Sequence, residues 1–238
     1  MKKLFLVTLS LCLYVGIAYA SLPLVTDDFY TVVPGGHELE IDYDSLQGQA
    51  SHINDFDLFY KIGFTDKFDL GIEIPYTTSG NPGLNDIYLH AKYRLWQVSK
   101  DEGLTARIDY KFKNGNINQG LGSGDDDAWL MLIYSKMFGI TKTHFNVAYV
   151  NVGVNAGLQY DDYFAYTAAA EYPAWGEKGD IVAECVANNT VYFPNPAFIQ
   201  IGARYYLSKG LNVNGGYSFG LNTNTFINNL SAGIHWEF

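Results

Sequence analysis

From Leu84 to Trp96 the chain alternates with a period of two: Ile87, Leu89, Ala91, Tyr93 and Leu95 fall on one face, opposite Tyr88, His90, Lys92 and Arg94. Leu104 to Lys113 repeats the pattern, with Ala106, Ile108, Tyr110 and Phe112 opposing Arg107, Asp109, Lys111 and Lys113. A helix returns to the same face every ~3.6 residues and would mix these two sets, whereas a pleated strand keeps them apart. Similar segments near 37–44, 55–64, 68–76, 127–137, 143–152, 163–172, 180–189, 197–207, 211–220 and 228–238 bring the number of candidate strands to twelve. The chain is expected to be all-β.

The connections alternate between tight and long. Thr65-Asp66-Lys67, 139–142, 176–179 and Ser208-Lys209-Gly210 are tight turns, whereas 45–54, 77–83, 114–126, 153–162, 190–196 and 221–227 are longer and rich in Gly, Asn, Asp and Pro. Segment 96–103 reads as a long connection on the side where the turns are short. Beyond residue 20 no apolar run is long enough for a membrane helix, so a membrane-spanning form of this chain has to be a closed barrel. The expected fold is an antiparallel up-and-down transmembrane β-barrel of about twelve strands over 37–238, with short periplasmic turns and longer external loops.

The first residues read as a secretory signal peptide. Lys2 and Lys3 precede an apolar stretch from Leu4 to Ile17, and Ala18-Tyr19-Ala20 gives the small-x-small pattern before Ser21, so cleavage is expected after residue 20. Leu11 stands where a lipoprotein signal needs a small residue before Cys12. Loss of residues 1–20 moves the formal charge from −10 to −12, because two lysines and no acids leave. An acidic chain of this kind argues against nucleic acid as a partner. Cys12 leaves with the signal, and Cys185 alone makes no internal disulfide.

Aromatic residues form 16% of the chain, and many stand at strand ends, among them Tyr43, Phe64, Trp96, Phe138, Trp175, Tyr205 and Trp236. Rings at both boundaries of an apolar band anchor a barrel at a fixed depth. In the last strand Leu230, Ala232, Ile234, Trp236 and Phe238 alternate with Ser231, Gly233, His235 and Glu237. Ser231, Gly233, Trp236 and Phe238 resemble the C-terminal insertion signal of bacterial outer-membrane barrels. That resemblance implies the cell outer membrane as the location, with outer-membrane lipid and the barrel assembly machinery as partners.

With the apolar parity toward lipid, the other parity lines the lumen. The lumen-lining candidates are Asp42, Asp57, Lys61, Glu73, His90, Lys92, Arg94, Arg107, Asp109, Lys111, Lys136 and Arg204. The first three strands are mainly acidic on this face and the next three mainly basic. Two readings stay open: opposed walls around a water-filled pore with a transverse field, which is preferred, or salt bridges that close a narrow lumen. Segment 21–36, with Pro23, Asp27, Asp28 and Pro34, either inserts as a plug or lies in the periplasm before the first strand, and the second placement is preferred.

No catalytic residue, metal ligand or cofactor is expected. The acids of Gly122-Ser-Gly-Asp-Asp-Asp127 lack the alternation of a calcium loop, and His52 and His144 lack metal-ligand spacing. There is no Gly-x-Ser-x-Gly elbow, no phosphate-binding glycine loop and no His-x-Ser-Asn strand motif of outer-membrane phospholipases. The chain is not expected to be an enzyme.

Short phrases spread along the chain carry a wider resemblance. They are Thr26-Asp-Asp28, Gly36-His-Glu-Leu-Glu40, Gly83-Leu-Asn-Asp-Ile87, Lys92-Tyr-Arg94, Glu171-Tyr-Pro173, Ala183-Glu184, Gly202-Ala-Arg-Tyr-Tyr-Leu207 and Gly215-Gly-Tyr217. Together they resemble the outer-membrane family of meta-pathway phenol-degradation proteins and transporters. The resemblance implies a barrel of about this size that passes small, often aromatic or hydrophobic, compounds. The expected function is therefore an outer-membrane channel for diffusion of small solutes. The alternative is a closed barrel with a structural, adhesive or surface-interaction role through its external loops, loop 114–126 first among them.

Overall fold

The computed structural model describes residues 23–49, 51–153, 161–189, 195–222 and 225–238. The signal peptide expected over 1–20 and most of the connections 153–162 and 190–196 lie outside the described residues.

Twelve long strands and one very short strand make up the described fold. They are β1 (His37–Gln47), β2 (His52–Thr65), β3 (Phe68–Thr77), β4 (Gly83–Leu84), β5 (Tyr88–Ser99), β6 (Glu102–Lys111), β7 (Asp127–Phe138), β8 (Thr141–Asn151), β9 (Tyr163–Tyr172), β10 (Gly179–Asn189), β11 (Ala197–Ser208), β12 (Leu211–Gly220) and β13 (Asn228–Glu237). Each long strand pairs antiparallel with the next, and β1 pairs with both β2 and β13. The sheet thus closes on itself and leaves the long strands without an open edge, which satisfies their backbone N–H and C=O groups internally. At the seam, His37 and Phe238 exchange both backbone hydrogen bonds at 2.9 Å. Two-residue β4 pairs only with β3, where it stiffens the connection 77–87.

The two parities of each strand separate as the pleat requires. Leu58, Leu89, Tyr93, Ile108, Leu130 and Ile201 stand on the outer surface, while Glu40, Glu73, Arg107, Asp109 and Arg204 are buried inside. An apolar outside around a charged inside is the reverse of a water-soluble domain and matches a lipid-embedded barrel.

The long turn expected over 96–103 is not there. β5 runs on to Ser99 and β6 starts at Glu102, so only Lys100 and Asp101 turn the chain. The β5–β6 register shifts between Arg94 and Trp96 and again between Gln97 and Ser99. Each such irregularity adds a residue to one strand and breaks the alternation, which hid the end of β5 from a period-two reading.

Candidate functional site

The lumen is the candidate site, and its inner wall is set by the strand pleat. Asp42 (β1), Asp57 and Lys61 (β2), Glu73 (β3), His90 and Lys92 (β5), Arg107, Asp109 and Lys111 (β6) and Arg204 (β11) all point inward, as their parity predicts. Arg94 shares that parity but stands midway along β5, level with the turn between β2 and β3, where its guanidinium donates to the Asp66 carbonyl. It caps a turn rather than the middle of the lumen.

Lys136 is a correction. It stands in the outer row of β7 with Leu130, Leu132 and Tyr134, and its Nζ lies 3.1 Å from Glu102 Oε1 on the neighbouring strand. The inner row of β7 is Trp129, Met131, Ile133 and Ser135. Both parities of this strand are apolar, so the pattern gives no contrast by which to place its one lysine, and the inward placement it suggests does not hold.

Chain segment 23–32 enters the lumen instead of lying outside it. Asp27 accepts from Lys92 Nζ at 2.8 Å on one oxygen and from Arg107 Nη1 at 2.8 Å on the other. Burial alone would raise this carboxyl, but Lys92, Arg107 and Lys61 pull it from the ordinary 3.8 down to about 2. With its amide turned so that both atoms are satisfied, Asn146 holds the same residue by its backbone, donating to the Asp27 carbonyl at 2.9 Å and accepting from its N–H at 2.8 Å.

Contacts on either side fix the strap's path. The Val25 and Thr26 N–H groups donate to the Glu184 carboxylate at 2.9 and 2.8 Å. Phe29 N–H donates to Ser135 Oγ at 3.0 Å, and Thr105 Oγ1 donates to the Phe29 carbonyl at 2.6 Å. The Phe29 ring lies where a Cβ on Gly103 would stand, so glycine at that position makes room for it. Leu24 packs with Ala169 and Val182, Gln200 donates to the Pro23 carbonyl, and Val32 N–H donates to Asp69 Oδ2 at 2.8 Å. These contacts cross from β3 through β5–β10 to β11.

Most lumenal bases are neutralised in this arrangement. Arg107 Nε also meets Asp109 at 2.7 Å, His90 bridges Asp109 at 2.7 Å and Glu73 at 3.1 Å, and Arg204 Nη1 meets Glu171 at 2.7 Å. Lys61 reaches Glu38 at 2.5 Å and Glu40 at 2.8 Å, and Lys111 pairs with Asp127. The ion-paired lumen therefore describes one part of the wall. On β1 and β2, Asp42 faces Asp57 and Asp44 faces Asp55, and among the described residues none of these four forms an ion pair. Asn229 Nδ2 donates to Asp44 at 2.6 Å. The wall is acidic and uncompensated here and apolar across β7–β9, where Trp129, Met131, Ile133, Val150 and Tyr163 form a buried cluster.

The contributions of Asp27, Thr105 and Ser135 were not singled out in the sequence. Two lumenal cations near one another called for a counter-charge, but nothing in the spacing of residues 21–36 marked Asp27 as its source.

No protein-family model and no curated protein matches the chain. Solved structures do. An outer-membrane channel from Pseudomonas putida F1 is similar with a TM-score of 0.73 at 13% identity, over 89% of this chain and 98% of that one. The KdgM porin, in complex with disordered oligogalacturonate, gives 0.64 at 10% identity over 84% of this chain and 99% of that one. The NanC porin gives 0.64 at 9% identity over 83% and 98%. At such low identities the likeness is one of fold, and the chain shares the fold of outer-membrane channel barrels.

Proposed function

We propose that the protein is an outer-membrane channel through which small solutes diffuse, with segment 23–32 laid across its lumen as a constriction. The observation that carries this reading is the uncompensated Asp42, Asp44, Asp55 and Asp57 on the inner wall. A lumen closed purely for stability gains nothing from unpaired inward carboxylates, since each costs desolvation without a partner. Lining a passage, the same groups act on whatever crosses it. The strap's polar contacts run from β3 to β11, its Val32 carbonyl packs against Gly63 of β2 and Pro23 against Gly216 of β12, but no described contact reaches these four residues, and this reading assigns the solute's route to the wall they line. The small aromatic or hydrophobic compounds implied by the phenol-degradation resemblance are the solutes this reading assigns to the passage. The barrel fold supports the outer membrane as the location.

Liposome swelling with the purified protein tests the proposal. A channel makes vesicles permeable to small neutral sugars at rates that fall with solute size. Vesicles that stay as tight as protein-free controls would refute it.

A further inference from the structure

We infer that the acidic strip on β1 and β2 is a binding site for organic cations, and that short diamines are the ligands it fits best. The inference rests on the channel reading only in placing the strip on the solute's route; binding itself is measurable without transport.

Two rungs define the site. Asp42 lies directly opposite Asp57, and Asp44 directly opposite Asp55, all on the inner face. Like charges opposite one another in an antiparallel pair repel. Elsewhere in the lumen bases or strap N–H groups answer the carboxylates: Lys61 meets Glu38 and Glu40, Arg107 meets Asp27 and Asp109, and the strap's N–H groups meet Asp69 and Glu184. Among the described residues no base answers these two rungs.

Independent of the carboxylates, neighbouring amides lack partners as well. Asn229 is 4% exposed and donates through Nδ2 to Asp44, yet its Oδ1 has no hydrogen-bond partner. Asn214 on β12 has neither amide atom bonded, although both atoms are buried. Its Oδ1 and Asp42 Oδ1 converge over Gly233: a Cβ there would overlap the Asp42 oxygen and stand 3.2 Å from the Asn214 oxygen. Buried amide oxygens are nearly always bonded, and the Asn229 oxygen left open beside open carboxylates is a place for a further donor. An ammonium group supplies three.

The spacing selects among cations. Residues 42 and 44 lie two apart on one strand, so the rungs are about 6.7 Å apart, on the scale of the two ammonium ends of a short diamine. The only group of three His, Cys, Asp or Glu side chains among the described residues with ligand atoms within 4.8 Å of one another is Glu38, Glu40 and His235. That group is engaged by Lys61. The strip is thus too extended for a compact metal cage but suits two separate charge-assisted contacts.

Calorimetry on the full-length protein in detergent micelles tests the site, with 1,4-diaminobutane, 1-aminobutane, 1,4-butanediol and calcium chloride as probes. The diamine should bind at least tenfold more tightly than the monoamine, and the diol should give no heat of binding. Asp42→Asn and Asp57→Asn should each weaken the diamine at least tenfold. Asp44→Asn with Asp55→Asn should reduce diamine affinity to the monoamine's. Asp57→Glu, which keeps the charge, should retain diamine binding, so a variant that loses affinity through misfolding is recognised by the failure of Asp57→Glu to recover it. Equal affinity for diamine and diol, calcium binding tighter than the diamine, or full diamine binding by Asp42→Asn and Asp57→Asn would overturn the assignment. Sugar-permeable vesicles formed by a protein that binds no diamine would refute this site and leave the channel standing; diamine binding without permeability would do the reverse.

Discussion

Arg107 Nη1 lies 2.8 Å from Asp27 Oδ2 in the interior of the barrel, joining a strand of the wall to the segment that precedes the first strand. Lys92 holds the other oxygen of the same carboxylate at 2.8 Å. Three buried charges therefore depend on one another. Removing a partner leaves an uncompensated charge, at a cost of about 3–5 kcal/mol. Asp27→Asn should release the strap while the barrel, whose ladder it does not touch, stays folded. Hydrogen exchange of the Val25, Thr26 and Phe29 amides should then speed up at least a hundredfold with little change in the strands. Unchanged protection of those amides would show that the ion pairs do not hold the segment.

The same carboxylate sets a limit in acid. Its pKa falls from 3.8 to about 2 on docking, so its contribution is fully present above about pH 4 and is lost as pH falls through about 2. Pepsin should cut at Phe29 at about pH 1.5 and spare it at about pH 4, both conditions being acid enough for the protease. Equal cleavage at the two pH values would mean that Asp27 does not control docking.

Phe29 is fully buried against a glycine of the wall. Truncation by Phe29→Ala should weaken docking by about 3–5 kcal/mol, and Gly103→Val should act similarly by placing carbon atoms where the ring lies. Both variants should raise single-channel conductance above the wild-type value. A conductance that ignores both changes would place the constriction elsewhere.

Most of the barrel was legible because closing a sheet in lipid demands the one signal that a single sequence shows well, alternation. β9 and β12 appear at the bounds that the pattern gives, and the others differ by a few residues at their ends. Alternation failed where the physics behind it failed. The end of β5 carries two register shifts, and the inner face of β7 packs as an apolar cluster, so Lys136 could not be assigned by contrast. The strap was illegible for another reason. It is held by single side chains reaching it from β3, β5, β6, β7, β8, β10 and β11, and only the closed barrel brings those residues together.

Lys136 offers a control for the lumenal charges. Its side chain faces outward beside Glu102, so Lys136→Gln should leave ion selectivity and conductance at wild-type values and the fold's stability little changed. A shift in reversal potential in this variant would place the side chain in the passage after all.

If solutes cross beside an uncompensated acidic wall, the reversal potential across a planar bilayer under a potassium chloride gradient reads its charge. Discrete conductance steps with preference for potassium over chloride are expected, and that preference should fall when Asp42→Asn and Asp57→Asn are combined. Absence of discrete steps, or a selectivity that the double substitution does not change, would contradict the account.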